Sequence, residues 1–116
     1  MNVVTLIGNL SSDVELRELD GGRRVGTFRI AVNRPTEGTE ADFFRVTVWE
    51  RQAELCAQYL AKGRKVGIEG RLRTNRWEDG DGNKRSSVEI VATRVEFLSP
   101  PSDAKETPFD AAAATA

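Results

Sequence analysis

One stretch of the chain, residues 64–77 (RKVGIEGRLRTNRW), limits the possible fold most strongly, because its residue types alternate with a period of two. This period is typical of a β-strand, in which alternate residues share a face. Cations beside a large aromatic ring suit a ligand with phosphates and unpaired bases, so the strand predicts a surface for single-stranded nucleic acid. The apolar core face carries Val66, Ile68, Gly70 and Leu72, and the other face carries Lys65, Gly67, Glu69, Arg71, Arg73, Asn75 and Trp77.

The composition narrows the class of protein. A chain of 116 residues has room for one domain. It has no histidine, and its one cysteine, Cys56, is expected to fill the core. These counts argue against zinc sites, histidine-dependent catalysis and an internal disulfide, and they suit a reducing cytoplasm. No apolar run nears the roughly 18 residues of a membrane span and the start lacks signal-peptide features, so we expect no membrane segment. Without histidine, the commonest metal ligand, we also expect no metal, and we expect no cofactor.

Charge is distributed unevenly along the chain. The net charge of −1 does not by itself favour a nucleic-acid binder, but the distribution is more informative than the sum. Residues 62–76 contain six cations against one anion, Glu69, whereas the acidic residues lie mostly in predicted turns and near the end of the chain. Positive charge is therefore concentrated along the strand at residues 64–77.

Four other segments also read as strands, from their apolar alternation and the turn residues between them. They cover residues 3–10, 23–34, 42–50 and 84–98, and a shorter extended segment is expected at 15–19. The last strand changes phase before Val95, which indicates a bulge or a bend. In the strand at 42–50, Phe43, Arg45, Thr47 and Trp49 share one side, which repeats the combination of rings and cations.

One helix is predicted at residues 51–62, where Ala53, Cys56, Tyr59 and Leu60 follow helical spacing and Gly63 suits the position after the end. Three strands, a helix and two strands is the order of the OB-fold, a five-stranded Greek-key barrel. The pattern alone leaves a small α+β domain as an alternative. We assign residues 1–98 to this all-β domain and residues 99–116, which lack any period, to a disordered tail.

Several segments together resemble the bacterial single-stranded DNA-binding protein family. The match runs in order from about residue 2 to 98, and IEGRLRT followed closely by Trp77 is its most specific part. The resemblance implies an OB-fold homotetramer that binds single-stranded DNA with little sequence preference in replication, recombination and repair, in the cytoplasm at the nucleoid. The segments are NVVTLIGNL (2–10), FRIAV (28–32), FFRVTVW (43–49), YLAKG (59–63) and VGIEGRLRTNRW (66–77).

The resemblance also implies site residues. It assigns base stacking to Phe43, Trp49 and Trp77. Phosphate contacts fall on Arg45, Arg51, Lys62, Arg73 and Arg76, and the strand phase adds Arg71. We expect the rings of two neighbouring strands to lie on one open surface with these guanidinium groups.

The chain departs from the family pattern in two places. The loop after the second strand is short and lacks the tryptophan of many relatives. Family tails commonly end in an acidic run closed by Pro-Phe, which recruits other proteins, but here residues 106–110 (ETPFD) precede an alanine-rich end. The departures favour a short paralogue and argue against recruitment of genome-maintenance proteins through the tail.

Other functions stay open at this point. The rings could instead pack against a subunit or the helix, and the arginines could be solvated surface charges. An OB-fold that binds RNA or docks a protein would show the same aromatic face. An enzyme is disfavoured because the sequence has no histidine, no phosphate-binding glycine loop and no Cys-X-X-Cys pair.

Overall fold

The computed structural model describes residues 1–35 and 40–98, and these form six strands and one α-helix. The expected segments are present with shifted ends, including the short strand at residues 15–19. The loop residues 36–39 and the predicted tail at 99–116 lie outside the described residues. The elements are β1 (Val4–Leu10), β2 (Glu15–Glu18), β3 (Arg24–Asn33), β4 (Ala41–Trp49), α1 (Glu50–Tyr59), β5 (Lys65–Glu78) and β6 (Lys84–Phe97), with a 3-10 turn at Asp20–Gly22.

Five long strands close into a ring. Around this ring β1 pairs with β5, β5 with β6, β6 with β4, β4 with β3, and β3 with β1. All pairs are antiparallel except β4–β6, which is parallel and has two residue pairs, Val46 with Ile90 and Thr47 with Val91. The short β2 lies along β3, and α1 connects β4 to β5. The predicted OB-fold, with one helix between the third and fourth long strands, is confirmed.

The core lies inside the ring, where the alternating apolar side chains of all five long strands meet. Burial of these side chains removes apolar surface from water, which is the main favourable term in folding. The predicted inward phases of β3, β4 and β5 are largely correct. The fully buried large side chains are Ile30, Ile68, Ile90, Val46, Val48, Val66 and Cys56.

The apolar pattern overestimates the core at one end of the barrel. Leu72 and Val88 have the inward phase, yet both are exposed. They lie where β5 and β6 continue as a two-stranded hairpin, and Leu72 pairs with Ile90 at its base. The side chain of Asn2 there hydrogen bonds to the backbone N–H and C=O of Leu72. The expectation that Leu72 belongs to the core face is therefore wrong.

The helix ends earlier than predicted. It spans Glu50–Tyr59, and Leu60 already has extended backbone angles, which send its side chain into the core. Tyr59 is exposed, so its predicted burial is wrong, while Ala53 and Cys56 are buried as expected. Lys62 lies beyond the last turn, and its backbone N–H donates to Asp13 Oδ1 at 2.9 Å. Gly63 has a φ of 96° and allows the chain to turn back into β5.

The predicted bulge is present in the β5–β6 pair. The register shifts between Glu69 and Gly70, because Glu69 pairs with Arg94 whereas Gly70 pairs with Ala92. A Cβ atom on Gly70 would lie 2.2 Å from the backbone oxygen of Val91. The strands approach each other so closely here that only glycine fits.

Gly70→Ala is expected to lower the free energy of unfolding by about 1–3 kcal/mol, because the added methyl group must push two paired strands apart. Urea denaturation measures this change. Gly67→Ala in the same strand is the matched control, since its Cβ would meet Leu98 Cδ1 at an ordinary 3.6 Å. Equal stabilities of the two variants would contradict the steric argument.

Candidate nucleic-acid interface

The strand register brings the outward residues of four strands onto one surface, here called the outer face. Residues paired across neighbouring strands point to the same side of a sheet. Thr47 pairs with Val91, and Val91 pairs with Arg71, so the outward residues of β4 and β5 lie on one side. The outer face carries Thr27 and Arg29 from β3; Phe43, Arg45, Thr47 and Trp49 from β4; Arg85, Ser87, Glu89 and Val91 from β6; and Arg71, Arg73, Asn75 and Trp77 from β5.

Two of the three predicted stacking rings are open to solvent. Phe43 is 61% exposed and Trp77 is 50% exposed, although large aromatic side chains usually bury their surface. Trp49 shares the face but is only partly exposed. The expectation that the rings come from two neighbouring strands is wrong, because β6 lies between β4 and β5. The two open rings therefore lie on opposite sides of β6, whose outward side chains are Arg85, Ser87, Glu89 and Val91.

Several predicted phosphate ligands carry charge that is not neutralised locally. Arg45, Arg71, Arg51 and Lys62 are exposed, and none forms an ion pair with another residue in the described ranges. Arg45 also lies directly opposite Arg29 in the β3–β4 pair. Like charges in this position repel each other, and an anionic ligand bound between them would relieve the repulsion.

Arg73, by contrast, belongs to a buried polar network. Its Nη2 donates to Glu89 Oε1 at 2.6 Å. Asn75 Nδ2 donates to Glu89 Oε2 at 2.7 Å, and Thr47 Oγ1 donates to Oε1 at 3.2 Å. Glu89 is only 4% exposed, so its charge depends on these donors. The network links β4, β5 and β6 under the middle of the outer face and balances the charge of Arg73.

Of two other arginines, one points away from the open rings and the other is paired with carboxylates. Arg76 alternates with Trp77 along β5, so it points to the opposite side of the hairpin. Arg34, which follows β3, donates to Asp42 and Glu40, and the Asp42 carboxylate raises the pKa of Arg34. The structure thus groups Arg45 and Arg71 with the rings but places Arg76 on another side.

Three charged residues on or beside the outer face could not be identified from the sequence. The burial of Glu89 could not be predicted, because a single acidic residue in a strand is expected to be solvated until the register shows its partners. Arg23 lies over the ring of Trp49, with its guanidinium carbon 4.5 Å from the ring centroid. Glu50 holds Arg23 through an ion pair of 3.2 Å between Oε2 and Nε. No local pattern joins residues that far apart in sequence.

The described residues offer little for other chemistry. Burial raises the pKa of the Cys56 thiol to about 12, which leaves it protonated and unreactive at neutral pH. Among the residues that the structure describes, no group of three or more potential metal ligands comes together. Within the part of the chain that the structure describes, no helix is long and apolar enough to cross a membrane.

Comparison with known proteins bears on this surface. The model of the Single-strand binding protein family matches residues 1–98. The chain belongs to this family. It is 42% identical over 104 residues to "Single-stranded DNA-binding protein 2" of Listeria innocua, a match that covers 86% of this chain and 65% of the relative. It is 43% identical over 104 residues to the protein of the same name from Staphylococcus aureus strain Mu50, covering 86% of this chain and 74% of the relative.

A solved structure of a single-stranded DNA-binding protein has a similar fold. The Plasmodium falciparum SSB in complex with ssDNA superposes with a TM-score of 0.77 at 28% sequence identity, over 85% of this chain and 96% of that chain. The chain also matches the "Single-stranded DNA-binding protein" of Treponema pallidum, with 42% identity over 84% of this chain and 58% of the relative. The chain thus spans about two thirds of the length of these curated family members.

Proposed function

We propose that this chain binds single-stranded DNA on its outer face with little sequence preference and without catalysing a reaction. The observation that carries the proposal is the exposure of Phe43 and Trp77 on the same face as Arg45 and Arg71, which form no ion pair within the described part of the chain. Membership of the Single-strand binding protein family supports it. Residues 1–98 form the binding domain in this proposal.

Stacking supplies most of the affinity in this mechanism. Each base stacked on an aromatic ring is worth roughly 1–3 kcal/mol by alanine substitution. An exposed ion pair is worth roughly 0–1 kcal/mol, so the cations mainly attract and align the phosphate backbone. Duplex DNA hides the faces of its bases, whereas a single strand exposes them. Because every base has such a face, stacking selects for single strands but not for sequence.

The biological setting follows from the family. The chain would protect single strands during replication, recombination and repair, as a homotetramer in the cytoplasm at the nucleoid. It would not act as an enzyme, since the proposed contacts are reversible and the sequence lacks histidine. RNA binding is the nearest alternative, and affinities for DNA and RNA oligomers of one sequence separate the two.

A titration with poly(dT) at several salt concentrations tests the proposal. Both tryptophans of the chain lie on the outer face, so binding is expected to quench their fluorescence. The logarithm of affinity should fall with the logarithm of salt concentration by about 0.7 per phosphate neutralised, or about 3 if four unpaired cations each contact one phosphate. Light scattering in parallel gives the mass, which is expected to be that of a tetramer.

Two outcomes would contradict the proposal. The first is tryptophan fluorescence that does not change when oligonucleotide is added, which is the result expected if the outer face binds a partner protein instead of DNA. Duplex DNA that binds as tightly as poly(dT) would show that phosphate contacts, and not stacking, supply the affinity.

A further inference from the structure

Trp49 differs from the other two stacking rings in that a cation already covers it. The guanidinium carbon of Arg23 lies 4.5 Å from the centroid of the ring, which is within the range of a cation–π contact. On the sheet side, Val25 lies directly opposite Trp49, points the same way and is only 4% exposed. We attribute this burial to the two large side chains that flank Val25 in the register, those of Trp49 and Arg17. Arg23 therefore covers one face of the ring, and the side chain next to Trp49 in the register, Val25, is buried.

Glu50 holds Arg23 in this position. One carboxylate oxygen of Glu50 accepts from Arg23 Nε, and the other accepts from the backbone N–H of Arg24, both at 3.2 Å. These hydrogen bonds also lower the pKa of Glu50 below its ordinary value, so the carboxylate is charged at neutral pH. The ion pair neutralises Arg23, which makes Arg23 a poor phosphate ligand while it covers the ring.

The backbone at Glu50 is a second, independent observation. Among the residues that the structure describes, Glu50 is the one non-glycine residue with a positive φ, 53°. Glycine adopts this conformation without strain, whereas glutamate does not. Strained backbone conformations cluster at functional sites, where the surrounding contacts hold them. The use visible here is the pair of hydrogen bonds that places Arg23 over Trp49.

We infer that Arg23 and Glu50 control the stacking position at Trp49. A base stacks on the ring of Trp49 by displacing Arg23. Trp49 therefore binds a base more weakly than Phe43 or Trp77 does, and it is the last of the three rings to be occupied. The inference rests on the proposed function, because it concerns the same DNA-binding face. Displacement of an exposed cation–π contact corresponds to about a two- to fivefold loss of affinity at this position.

The test uses Trp77→Phe as the parent, so that Trp49 is the sole tryptophan. Adding Arg23→Gln and Glu50→Gln together removes the cover without changing the net charge. The matched control is Arg24→Gln with Glu54→Gln, which removes a neighbouring exposed ion pair of 2.8 Å. Arg24 alternates with Val25 along β3, so its side chain points away from the side that Val25 shares with Trp49. Thermal melts check that all variants fold.

Two readouts are expected to change in the Arg23/Glu50 variant and not in the control. Without DNA, acrylamide should quench Trp49 more strongly, because the ring is uncovered. With poly(dT), the concentration that half-quenches Trp49 should fall about two- to fivefold. Unchanged acrylamide quenching, or an unchanged or higher half-quenching concentration, overturns the inference. If wild-type protein does not bind poly(dT) at all, the proposed function itself fails, whereas the acrylamide readout still tests the cover on its own.

Discussion

Trp77→Ala is expected to weaken binding to poly(dT) by about 5- to 150-fold, the equivalent of one lost base stack of roughly 1–3 kcal/mol. Trp77 lies on the β5–β6 hairpin beyond the barrel and is half exposed, so its removal should leave the core intact. The free energy of unfolding should therefore change little. Fluorescence anisotropy of a labelled oligo(dT) measures the affinity without relying on the tryptophan that was removed.

Two further variants show whether stacking is the cause. Trp77→Phe keeps an aromatic ring and should recover most of the affinity. Tyr59→Ala removes an equally exposed ring that packs near Phe97 and away from the outer face, so it should bind like wild type. If Tyr59→Ala and Trp77→Ala weaken binding to the same extent, the DNA does not follow the outer face.

Glu89→Ala is expected to lower the free energy of unfolding by about 2–3 kcal/mol. The change removes the acceptor for Thr47, Arg73 and Asn75, and hydrogen bonds to a charged group are worth about 1.5–3 kcal/mol. The loss should be smaller than for a fully buried ion pair, because Arg73 is partly exposed and water can solvate it. Urea denaturation at neutral pH measures the effect.

A surface ion pair provides the control for Glu89. Glu96 pairs with Arg94 on the same strand, but both side chains are exposed. Glu96→Ala should therefore change the stability by less than about 0.5 kcal/mol. If Glu89→Ala costs no more than Glu96→Ala, the buried network does not stabilise the sheet.

The same network makes the stability depend on pH. Burial disfavours the charged form of Glu89, but hydrogen bonds from Asn75, Arg73 and Thr47 outweigh it and lower its pKa below the ordinary 4.5. The stabilisation is therefore complete above the pKa of the unfolded chain and disappears as the pH falls through the lower pKa of the folded state. Wild type should lose more stability than Glu89→Gln between about pH 7 and about pH 3.

Much of the outer face could be predicted because strand phase is a local property. The exposure of Phe43 and Trp77, the burial of Val46 and Val48, and the bulge in β6 all follow from alternation within single segments. The order of elements predicted the OB-fold but left a small α+β domain open, and the resemblance of the segments at residues 2–98 to the family favoured the OB-fold.

What could not be predicted depends on neighbours that alternation does not specify. Glu89 meets Arg73 only because β6 pairs with β5 in one register, and a shift by one residue would separate them. Arg23 reaches Trp49 from a turn before β3, so no spacing rule links them. Leu72 and Tyr59 fit periodic patterns that continue past the place where the core ends.

The parallel β4–β6 junction has a consequence for how the protein is made. Two residue pairs join these strands, and the contact between Thr47 and Glu89 beside them spans 42 residues of sequence. Such distant pairing forms slowly, because the entropy of closing a long loop is lost before the contact is gained. A nascent chain on the ribosome thus cannot complete its barrel or its ligand surface until β6 has left the exit tunnel, so folding and the gain of binding activity both wait for the last strand.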